Sequence, residues 1–288
     1  MARVLITGAK GQLGNELKVA SKKYCGYDFI FTDIDTLDLT NPEETEEFIK
    51  KSEPDWIINC AAYNLVDKAE SESEKALLIN GTSVKNITDV IKGTECKFIH
   101  ISSDYVYDGK SNVPYNEYSP ANPLSAYGRS KLAGEKYAVA HQGSMIIRTA
   151  WLYSSFGNNF VKTIIKNAKE KEFLKVVFDQ TGTPTYAADL AEAIMNIVSG
   201  VIRNQFALNA GIYNYSNEGV CTWFDFATEI VKEAGLKCPV YPILSTGFNS
   251  VAQRPAYSVM DKSKIKENYS LAIPHWRDSL KRCMKLLN

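Results

Sequence analysis

The sequence predicts an α/β fold in which helices cover both faces of a doubly wound parallel sheet, followed by a smaller C-terminal lobe. Short apolar runs alternate with helix-like segments over the first 150 residues, a glycine-rich turn follows the first run, and the alternation loosens beyond Trp151. Continuous apolar strands separated by helices are typical of parallel sheets that are buried on both faces. We therefore expect a first domain over 1–150, to which later segments return, and a lobe over 151–288.

The predicted elements follow in order along the chain. Apolar runs predict strands at Arg3–Thr7, Tyr27–Thr32, Trp56–Cys60, Lys97–Ser102 and Met145–Thr149. The segments between them predict helices at Gly11–Lys23, Pro42–Lys51, Ser73–Ile91 and Ala126–His141. Further on, we expect helices at Tyr186–Val201 and Trp223–Ala234, and at most an edge strand at Pro239–Ile243 because of its prolines.

Composition excludes several classes of protein. Lys and Arg number 33, as do Asp and Glu, so the formal net charge is 0. No excess positive charge attracts nucleic acid or an anionic membrane. No apolar run approaches the roughly 18 to 20 residues that span a bilayer, and the amino terminus lacks a signal-peptide cleavage pattern. We expect a cytoplasmic protein with neither nucleic acid nor a membrane as its partner.

Cysteine and histidine spacing gives no sign of a metal site. The six cysteines are scattered without a Cys-x-x-Cys pair, and His100, His141 and His275 lie far apart. Zinc sites and disulfide frameworks require closer and more regular spacing. We therefore predict reduced thiols and no transition metal.

The segment from Gly8 to Gly14 predicts a cofactor loop. It follows the first strand and opens the first helix with the spacing Gly-x-x-Gly-x-x-Gly at Gly8, Gly11 and Gly14. Glycines there permit a tight turn and close backbone approach, so that the helix N-terminus can hold a pyrophosphate. A plain tight turn is the alternative. In this strand-to-helix context we favour a Rossmann-type dinucleotide-binding domain.

Two acidic residues near the second strand bear on the choice of cofactor. Asp33 is placed to accept hydrogen bonds from the adenosine ribose 2′-hydroxyl and to repel a 2′-phosphate, which favours NADH over NADPH. Asp38 is a candidate for a position near the adenine. A turn cap is the alternative for both, and use of NADPH as well stays open.

Tyr127 and Lys131 are the most informative pair. At positions i and i+4 of a helix they share one face, where the ammonium is expected to lower the pKa of the phenol for proton exchange. A solvated helix face is the alternative for such a pair. Ser102 and Ser103 follow the strand at Lys97, and ligands bind beyond the carboxyl ends of such strands.

These features together resemble the extended short-chain dehydrogenase/reductase superfamily, which acts on nucleotide sugars. Further motifs occur in order along nearly the whole chain: Gly11-Gln-Leu-Gly14, Ser103-Asp-Tyr-Val-Tyr-Asp-Gly109, Tyr127-Gly-x-x-Lys131-Leu-Ala-Gly-Glu135, Arg148-Thr-Ala-Trp-Leu-Tyr153, Gly157-Asn-Asn-Phe-Val161, Asp179-Gln-x-Gly-x-Pro-Thr185 and Arg254-Pro255. This set is similar to the dTDP-4-dehydrorhamnose reductase family of dTDP-rhamnose and polysaccharide biosynthesis.

The resemblance implies NAD(P)H-dependent reduction of the C4 keto group of dTDP-4-dehydro-L-rhamnose to dTDP-L-rhamnose, with Tyr127 as the proton donor. The implied catalytic residues are Ser103, in place of the usual threonine, Tyr127 and Lys131. The implied cofactor-binding residues are Gly8, Gly11, Gln12, Leu13, Asp33, Asp38, Leu39, Ala61, Ala62, Tyr63, Ser102, Tyr127 and Lys131, with Tyr63 replacing an expected histidine. The implied substrate-binding residues are Ser103, Asp104, Tyr105, Trp151, Asn159 and Arg254, in a mainly substrate-binding second lobe.

The sequence does not decide whether the protein binds magnesium or forms a homodimer. Some family members bind magnesium at a dimer interface through glutamates, and only Glu16 lies near a matching position. We assign no metal site and leave both magnesium and a homodimer open.

Two classes of alternative are weighed against the reductase. A nucleotide-sugar 4-epimerase or 4,6-dehydratase would share the glycine loop and the Tyr-Lys pair. Dehydratases usually carry an Asp-Glu pair after the serine or threonine, whereas Asp104 is followed here by Tyr105. The other class is a non-catalytic regulatory subunit resembling that of methionine adenosyltransferase. The presence of Ser103, Tyr127 and Lys131 favours an enzyme.

Overall fold

The computed structural model describes residues 1–287. Its strands are β1 Ala2–Thr7, β2 Tyr27–Phe31, β3 Trp56–Asn59, β4 Lys97–Ser103, β5 Ser144–Thr149, β6 Leu152–Tyr153, β7 Leu174–Val177, β8 Thr181–Gly182, β9 Thr185–Tyr186, β10 Gly211–Tyr215, β11 Cys221–Thr222 and β12 Val240–Ile243. Its α-helices are α1 Gln12–Ser21, α2 Pro42–Ser52, α3 Ser73–Leu77, α4 Ser83–Ile91, α5 Ala126–Val139, α6 Phe160–Glu170, α7 Ala187–Ile202, α8 Trp223–Glu233, α9 Ser263–Tyr269 and α10 Trp276–Met284.

A six-stranded sheet in the order β10-β5-β4-β3-β1-β2 forms the centre of the molecule. All of its neighbouring strands pair in parallel. Alternate residues of β1 enter different cores: Val4 packs in the cluster that contains residues of α1 and α7, and Leu5 in the cluster that contains residues of α2 and α4. Helices therefore cover both faces, and the predicted doubly wound α/β fold is confirmed.

The edge strand β10 brings a late part of the chain back to the sheet. It pairs with β5 from Gly211↔Met145 to Tyr215↔Thr149, and α7, just before it, packs against α1 through the same core cluster. A strand at 211–215 is not among the predicted elements. The division of the chain near residue 150 stays a prediction.

The predicted helix Ser73–Ile91 is interrupted. A π-helical segment, Leu78–Thr82, separates α3 from α4 and contains the buried residue Asn80. The Asn80 side chain accepts a hydrogen bond from the Tyr63 N–H at 2.8 Å and donates to the Tyr63 carbonyl and to the Ser130 hydroxyl. Segments of π-helix often lie at functional sites. Here the segment places Asn80 so that it fixes the loop after β3.

The C-terminal lobe has its own apolar core. Phe226 and Ile230 of α8 pack with Val161 of α6 and Trp276 of α10, and all four side chains are buried. β12 pairs only with β7 among the strands of the described residues, in a two-stranded sheet, which agrees with an edge position. The helices α6 and α10, which carry much of this core, are not among the predicted elements.

Candidate active site

The glycine loop fits the phosphate group of a dinucleotide. Gly8 has a φ of +65°, and a Cβ there would lie 2.6 Å from the Ala61 nitrogen, so only glycine allows β1 and β3 to end this close together. Helix α1 begins after Gly11, which has an extended backbone, and no side chain of the described chain caps it there. The N–H groups of its first turn are free to bind an anion.

A cavity of about 470 Å³, here called the sheet cavity, opens beside this loop at the carboxyl ends of β1, β2 and β3. Asp33 accepts a hydrogen bond from the Lys10 N–H at 2.7 Å, and Asp38 accepts from the N–H and hydroxyl of Thr40 at 2.9 and 2.7 Å. Both carboxylates therefore organise loops, as the turn-cap alternative anticipates. The predicted cofactor residues that border this cavity are Gly8, Gly11, Asp33, Asp38, Leu39, Ala61 and Ala62.

Tyr63, a member of the predicted cofactor set, is not among the residues that border the sheet cavity or its neighbour. Its side chain packs with Ala69 and Ala76 in a small apolar cluster, and its hydroxyl donates to Glu72 at 2.8 Å. Asn80 hydrogen-bonds both the N–H and the carbonyl of Tyr63. The next residue, Asn64, borders both the sheet cavity and its neighbour and is not among the predicted site residues.

A second cavity of about 520 Å³, here called the central cavity, adjoins the first and lies between the sheet and the C-terminal lobe. Gly11, Cys60, Ala62 and Asn64 border both cavities, so the two lie side by side. The predicted residues that border the central cavity are Gly11, Gln12, Leu13, Ala62, Ser102, Ser103, Asp104, Tyr105, Tyr127, Lys131, Trp151, Asn159 and Arg254. The fold thus brings the predicted catalytic and substrate-binding residues to one space.

Helix α5 delivers Tyr127 and Lys131 to this cavity. The Ser125 hydroxyl caps the helix by accepting from the Gly128 N–H at 3.1 Å. One turn apart, the Tyr127 hydroxyl donates to Asn64 Oδ1 at 3.4 Å and the Lys131 ammonium donates to the Ile101 carbonyl at 2.7 Å. The ammonium therefore lies beneath the carboxyl end of β4, where its position is fixed by the strand backbone.

Burial controls the proton affinity of this pair. It raises the pKa of Tyr127 well above its ordinary value, and a hydrogen bond with Ser103 only partly opposes this. It also lowers the pKa of Lys131 to about 8, against the charge of Glu135. The expectation that Lys131 lowers the pKa of Tyr127 is not met, because the ammonium is directed to the Ile101 carbonyl and burial dominates. Tyr127 is consequently protonated at neutral pH, as a proton donor must be.

Ser103 and Asp104 lie at the end of β4 beside Tyr127. The Ser103 hydroxyl donates to Asp104 Oδ1 at 3.0 Å and accepts from the Tyr105 N–H at 3.2 Å. Burial raises the pKa of Asp104 to about 6, although hydrogen bonds from Ser258 and Ser103 partly oppose this. Asp104 therefore borders the central cavity as a buried carboxyl group held by neighbouring hydroxyls.

Ser102 has a supporting position. Its hydroxyl donates to Glu135 at 2.6 Å, and Glu135 pairs with Arg148 through two hydrogen bonds at 2.9 and 2.6 Å. Arg148 also donates to the Tyr107 hydroxyl at 2.9 Å. These side chains are buried or nearly so, and they tie β4, α5 and β5 together behind Lys131.

Trp151 forms one wall of the central cavity in a strained conformation. Its φ is +47°, which is rare for a bulky residue and is often found at functional sites. Its ring stacks on Trp223 with centroids 3.5 Å apart and planes 8° from parallel. Trp223, the first residue of α8, is a site residue that the sequence analysis predicts only as the start of a helix.

Asn159 and Arg254 join the lobes at the rim of the cavity. Asn159 caps α6 by accepting from the Lys162 N–H at 3.1 Å, and its amide donates to Gln12 at 3.0 Å. Arg254 forms an ion pair with Asp67 at 2.9 Å. Asp67 does not appear among the predicted site residues, since nothing in its local sequence distinguishes it from a surface acid.

A third cavity of about 920 Å³, here called the lobe cavity, lies within the C-terminal lobe and is lined mainly by apolar side chains of α6 and β7 together with Lys171 and Lys175. It shares three bordering residues with the central cavity, Phe160, Trp223 and Arg254. The two cavities therefore meet at a neck in which Arg254 is the shared cation.

The described part of the chain lacks both a membrane-spanning helix and a cluster of metal ligands. No helix within residues 1–287 is long and apolar enough to cross a membrane. Nor does that range contain a group of three or more His, Cys, Asp or Glu side chains arranged to hold a metal ion.

Comparison with known proteins identifies the family. The RmlD substrate binding domain family matches residues 2–288. The chain belongs to that family. A relative from Bacillus subtilis, the spore coat polysaccharide biosynthesis protein SpsK, is 37% identical over 99% of this chain and 98% of its own.

Solved structures agree. A dTDP-4-dehydrorhamnose reductase from Clostridium acetobutylicum is 39% identical, covers 99% of both chains and superposes with a TM-score of 0.92. Another from Bacillus anthracis, in complex with NADP, is 38% identical over 99% of both chains, with a TM-score of 0.91. The predicted resemblance to the dTDP-4-dehydrorhamnose reductases is therefore confirmed, and the family finding favours a reductase over the epimerase, dehydratase and regulatory-subunit alternatives.

Proposed function

We propose that this protein uses NAD(P)H to reduce the C4 keto group of dTDP-4-dehydro-L-rhamnose, which gives dTDP-L-rhamnose. One observation carries the proposal: Ser103, Tyr127 and Lys131 meet at the cavity onto which the glycine loop opens. Family membership supports it, because the Clostridium and Bacillus anthracis relatives bear the name of this reductase.

The chain holds the cofactor with its glycine loop and sheet cavity. The first turn of α1 receives the pyrophosphate, and the sheet cavity receives the adenosine. When bound, the nicotinamide supplies a hydride to the carbonyl carbon. NADP in the Bacillus anthracis relative supports use of the phosphorylated cofactor, and the carboxylate of Asp33 supports use of NADH, so we propose that both are accepted.

Tyr127 completes the reduction. As the C4 carbon gains hydride, its oxygen becomes an alkoxide, and the Tyr127 hydroxyl gives that oxygen its proton, so that C=O becomes CH–OH. The Ser103 hydroxyl turns its one proton from Asp104 Oδ1 to the C4 oxygen and stabilises the developing charge. The Lys131 ammonium, fixed by the Ile101 carbonyl, would hold the nicotinamide ribose next to Tyr127. The raised pKa of Tyr127 keeps the donor protonated beforehand.

The joined cavities suit a nucleotide sugar. The central cavity receives the sugar beside Tyr127, and the larger lobe cavity receives the nucleoside against the apolar side chains of α6 and β7. The diphosphate that links these parts of the substrate then lies at the neck, next to Arg254. A homodimer and a cytoplasmic location stay predictions.

The function is tested by mixing the purified protein with NADH or NADPH and with dTDP-4-dehydro-L-rhamnose generated in place by the two preceding enzymes. We expect stoichiometric loss of reduced-cofactor absorbance and formation of dTDP-L-rhamnose, with no reaction when the protein is omitted. No oxidation in a mixture where a control reductase works would reject the proposal.

A further inference from the structure

Two segments from different parts of the chain meet above the central cavity. One is the loop after β3, which ends at Asp67. Its residue Asn64 borders both the sheet cavity and the central cavity. The other is a segment of the C-terminal lobe, residues 250–254, here called the strap. Asp67 and Arg254 are separated by 187 positions in the sequence, yet they form the contact that holds these segments together.

The Asp67 carboxylate binds the strap at three points. Its Oδ1 accepts from the Ser250 hydroxyl and from the Ala252 N–H, each at 3.1 Å, and its Oδ2 accepts from Arg254 Nη2 at 2.9 Å. Ala252 is buried although the strap runs along the surface. Burial alone would raise the pKa of Asp67, but the Ala252 N–H, the Arg254 charge and the Ser250 hydroxyl together lower it. The carboxylate is therefore ionised at neutral pH.

The same contacts orient the guanidinium. Arg254 Nε donates to the Ser250 hydroxyl at 3.1 Å, and Nη1 lies 3.4 Å from the Tyr105 hydroxyl. A guanidinium has more N–H donors than these contacts use, and the remaining ones are available at the neck between the central and lobe cavities. A long side chain loses rotamer freedom when it binds a ligand, so one that is already held in place binds more tightly.

We propose that Asp67 is a positioning residue for substrate: it fixes the strap and aims the Arg254 guanidinium at the diphosphate of the nucleotide sugar. This inference rests on the proposed function. Asp67 does not touch the substrate and acts through Arg254.

Charge alone would predict that Asp67 weakens substrate binding, because a carboxylate near a diphosphate repels it. The geometry favours positioning. The Asp67 side chain is 44% exposed, so solvent screens its repulsion, whereas its three hydrogen bonds fix both the strap backbone and the arginine. Removal of the carboxylate should therefore weaken substrate binding rather than strengthen it.

The test compares Asp67→Ala and Asp67→Asn with wild type, using dTDP as the calorimetric probe and the keto sugar for kinetics. For Asp67→Ala we expect dTDP affinity to fall about tenfold and KM for the nucleotide sugar to rise by a similar factor, the scale of a lost charged hydrogen bond. We expect kcat and the Kd of NADPH to stay within about twofold. Asp67→Asn keeps an acceptor for the Ala252 N–H and should recover part of the affinity.

Asp28→Ala is the matched control, since Asp28 pairs with Arg3 on the surface at the opposite end of the sheet, and it should leave dTDP affinity unchanged. Unchanged or tighter dTDP binding by Asp67→Ala would overturn the positioning role of Asp67 but would leave the proposed function standing. If the wild-type protein neither binds dTDP nor reduces the keto sugar, both the proposed function and the positioning role of Asp67 are overturned.

Discussion

At the scale of single residues, the site depends on ionisable groups that are buried from water. Burial disfavours charge, so it raises the pKa values of Tyr127 and Asp104 and lowers that of Lys131. The consequence is a neutral phenol beside an ammonium whose pKa lies close to neutral pH. The phenol can therefore supply a proton, and the ammonium can lose its charge within an accessible pH range.

Replacement of Tyr127 by phenylalanine removes the proton donor and keeps the ring. We expect turnover to fall about 10² to 10⁴-fold, the scale of general-acid catalysis, while the Kd of NADPH stays within about twofold. Steady-state kinetics and cofactor titration measure both quantities. Tyr137→Phe, at a partly exposed position on the same helix, should behave as wild type. Near-normal turnover by Tyr127→Phe would contradict the assignment.

The lowered pKa of Lys131 predicts an alkaline limit to activity. A lysine is charged below its pKa, so kcat/KM for the cofactor should fall as pH rises through about 8. Because arginine does not deprotonate in this range, Lys131→Arg should lose that falling limb while retaining reduced activity. Profiles from pH 6 to 10 provide the measurement. A wild-type profile that stays flat to pH 10, or an identical limb in Lys131→Arg, would contradict the role of Lys131.

Asp33 tests the choice of cofactor. Its carboxylate lies at the end of β2, beside Lys10 of the glycine loop, where a 2′-phosphate would meet its negative charge. Asp33→Ala should raise the ratio of kcat/KM for NADPH over NADH about 3- to 10-fold, as expected for removal of one exposed like charge. The Asp28→Ala control should not change this ratio. An unchanged ratio in Asp33→Ala would move the ribose contact elsewhere.

At the scale of secondary-structure elements, the sequence predicts most clearly those elements that depend on residues close together in the chain. The apolar runs of β1 to β5 and the glycine loop depend on neighbouring residues, and they lie where expected. The π-helical segment around Asn80 is set by distant contacts with Tyr63 and Ser130. Likewise, β10 is a strand because it pairs with β5, a partner over 60 residues away in the sequence. Such tertiary contacts leave little local signal.

The ion pair between Glu135 of α5 and Arg148 of β5 links two elements that carry the site. Both side chains are only 3% exposed, so loss of one charge leaves the other buried and unpaired. We expect Glu135→Gln to lower the free energy of unfolding by about 3 to 5 kcal/mol, measured by urea denaturation. The exposed pair of Glu46 with Lys50 provides the control: Glu46→Gln should change it by less than about 1 kcal/mol. Equal effects would contradict this account.

At the scale of the whole molecule, the site is assembled between the lobes. The sheet edge presents Ser103, Tyr127 and Lys131, and the C-terminal lobe presents Trp223 and Arg254 to the same space. Family motifs identify Ser103, Tyr127 and Lys131 because these residues lie in short motifs of the sequence. The contacts of Trp151 with Trp223 and of Asp67 with Arg254 join residues far apart in sequence, and only the fold reveals them.

Transfer of deuterium from the cofactor to the sugar tests the proposed reduction. The protein is incubated with dTDP-4-dehydro-L-rhamnose and NADH deuterated at both hydrogens of nicotinamide C4, and the product is examined by NMR and mass spectrometry. We expect dTDP-L-rhamnose with one deuterium at sugar C4 for each cofactor oxidised. A product without deuterium at C4, or no oxidation of the cofactor while a control reductase reacts, would contradict it.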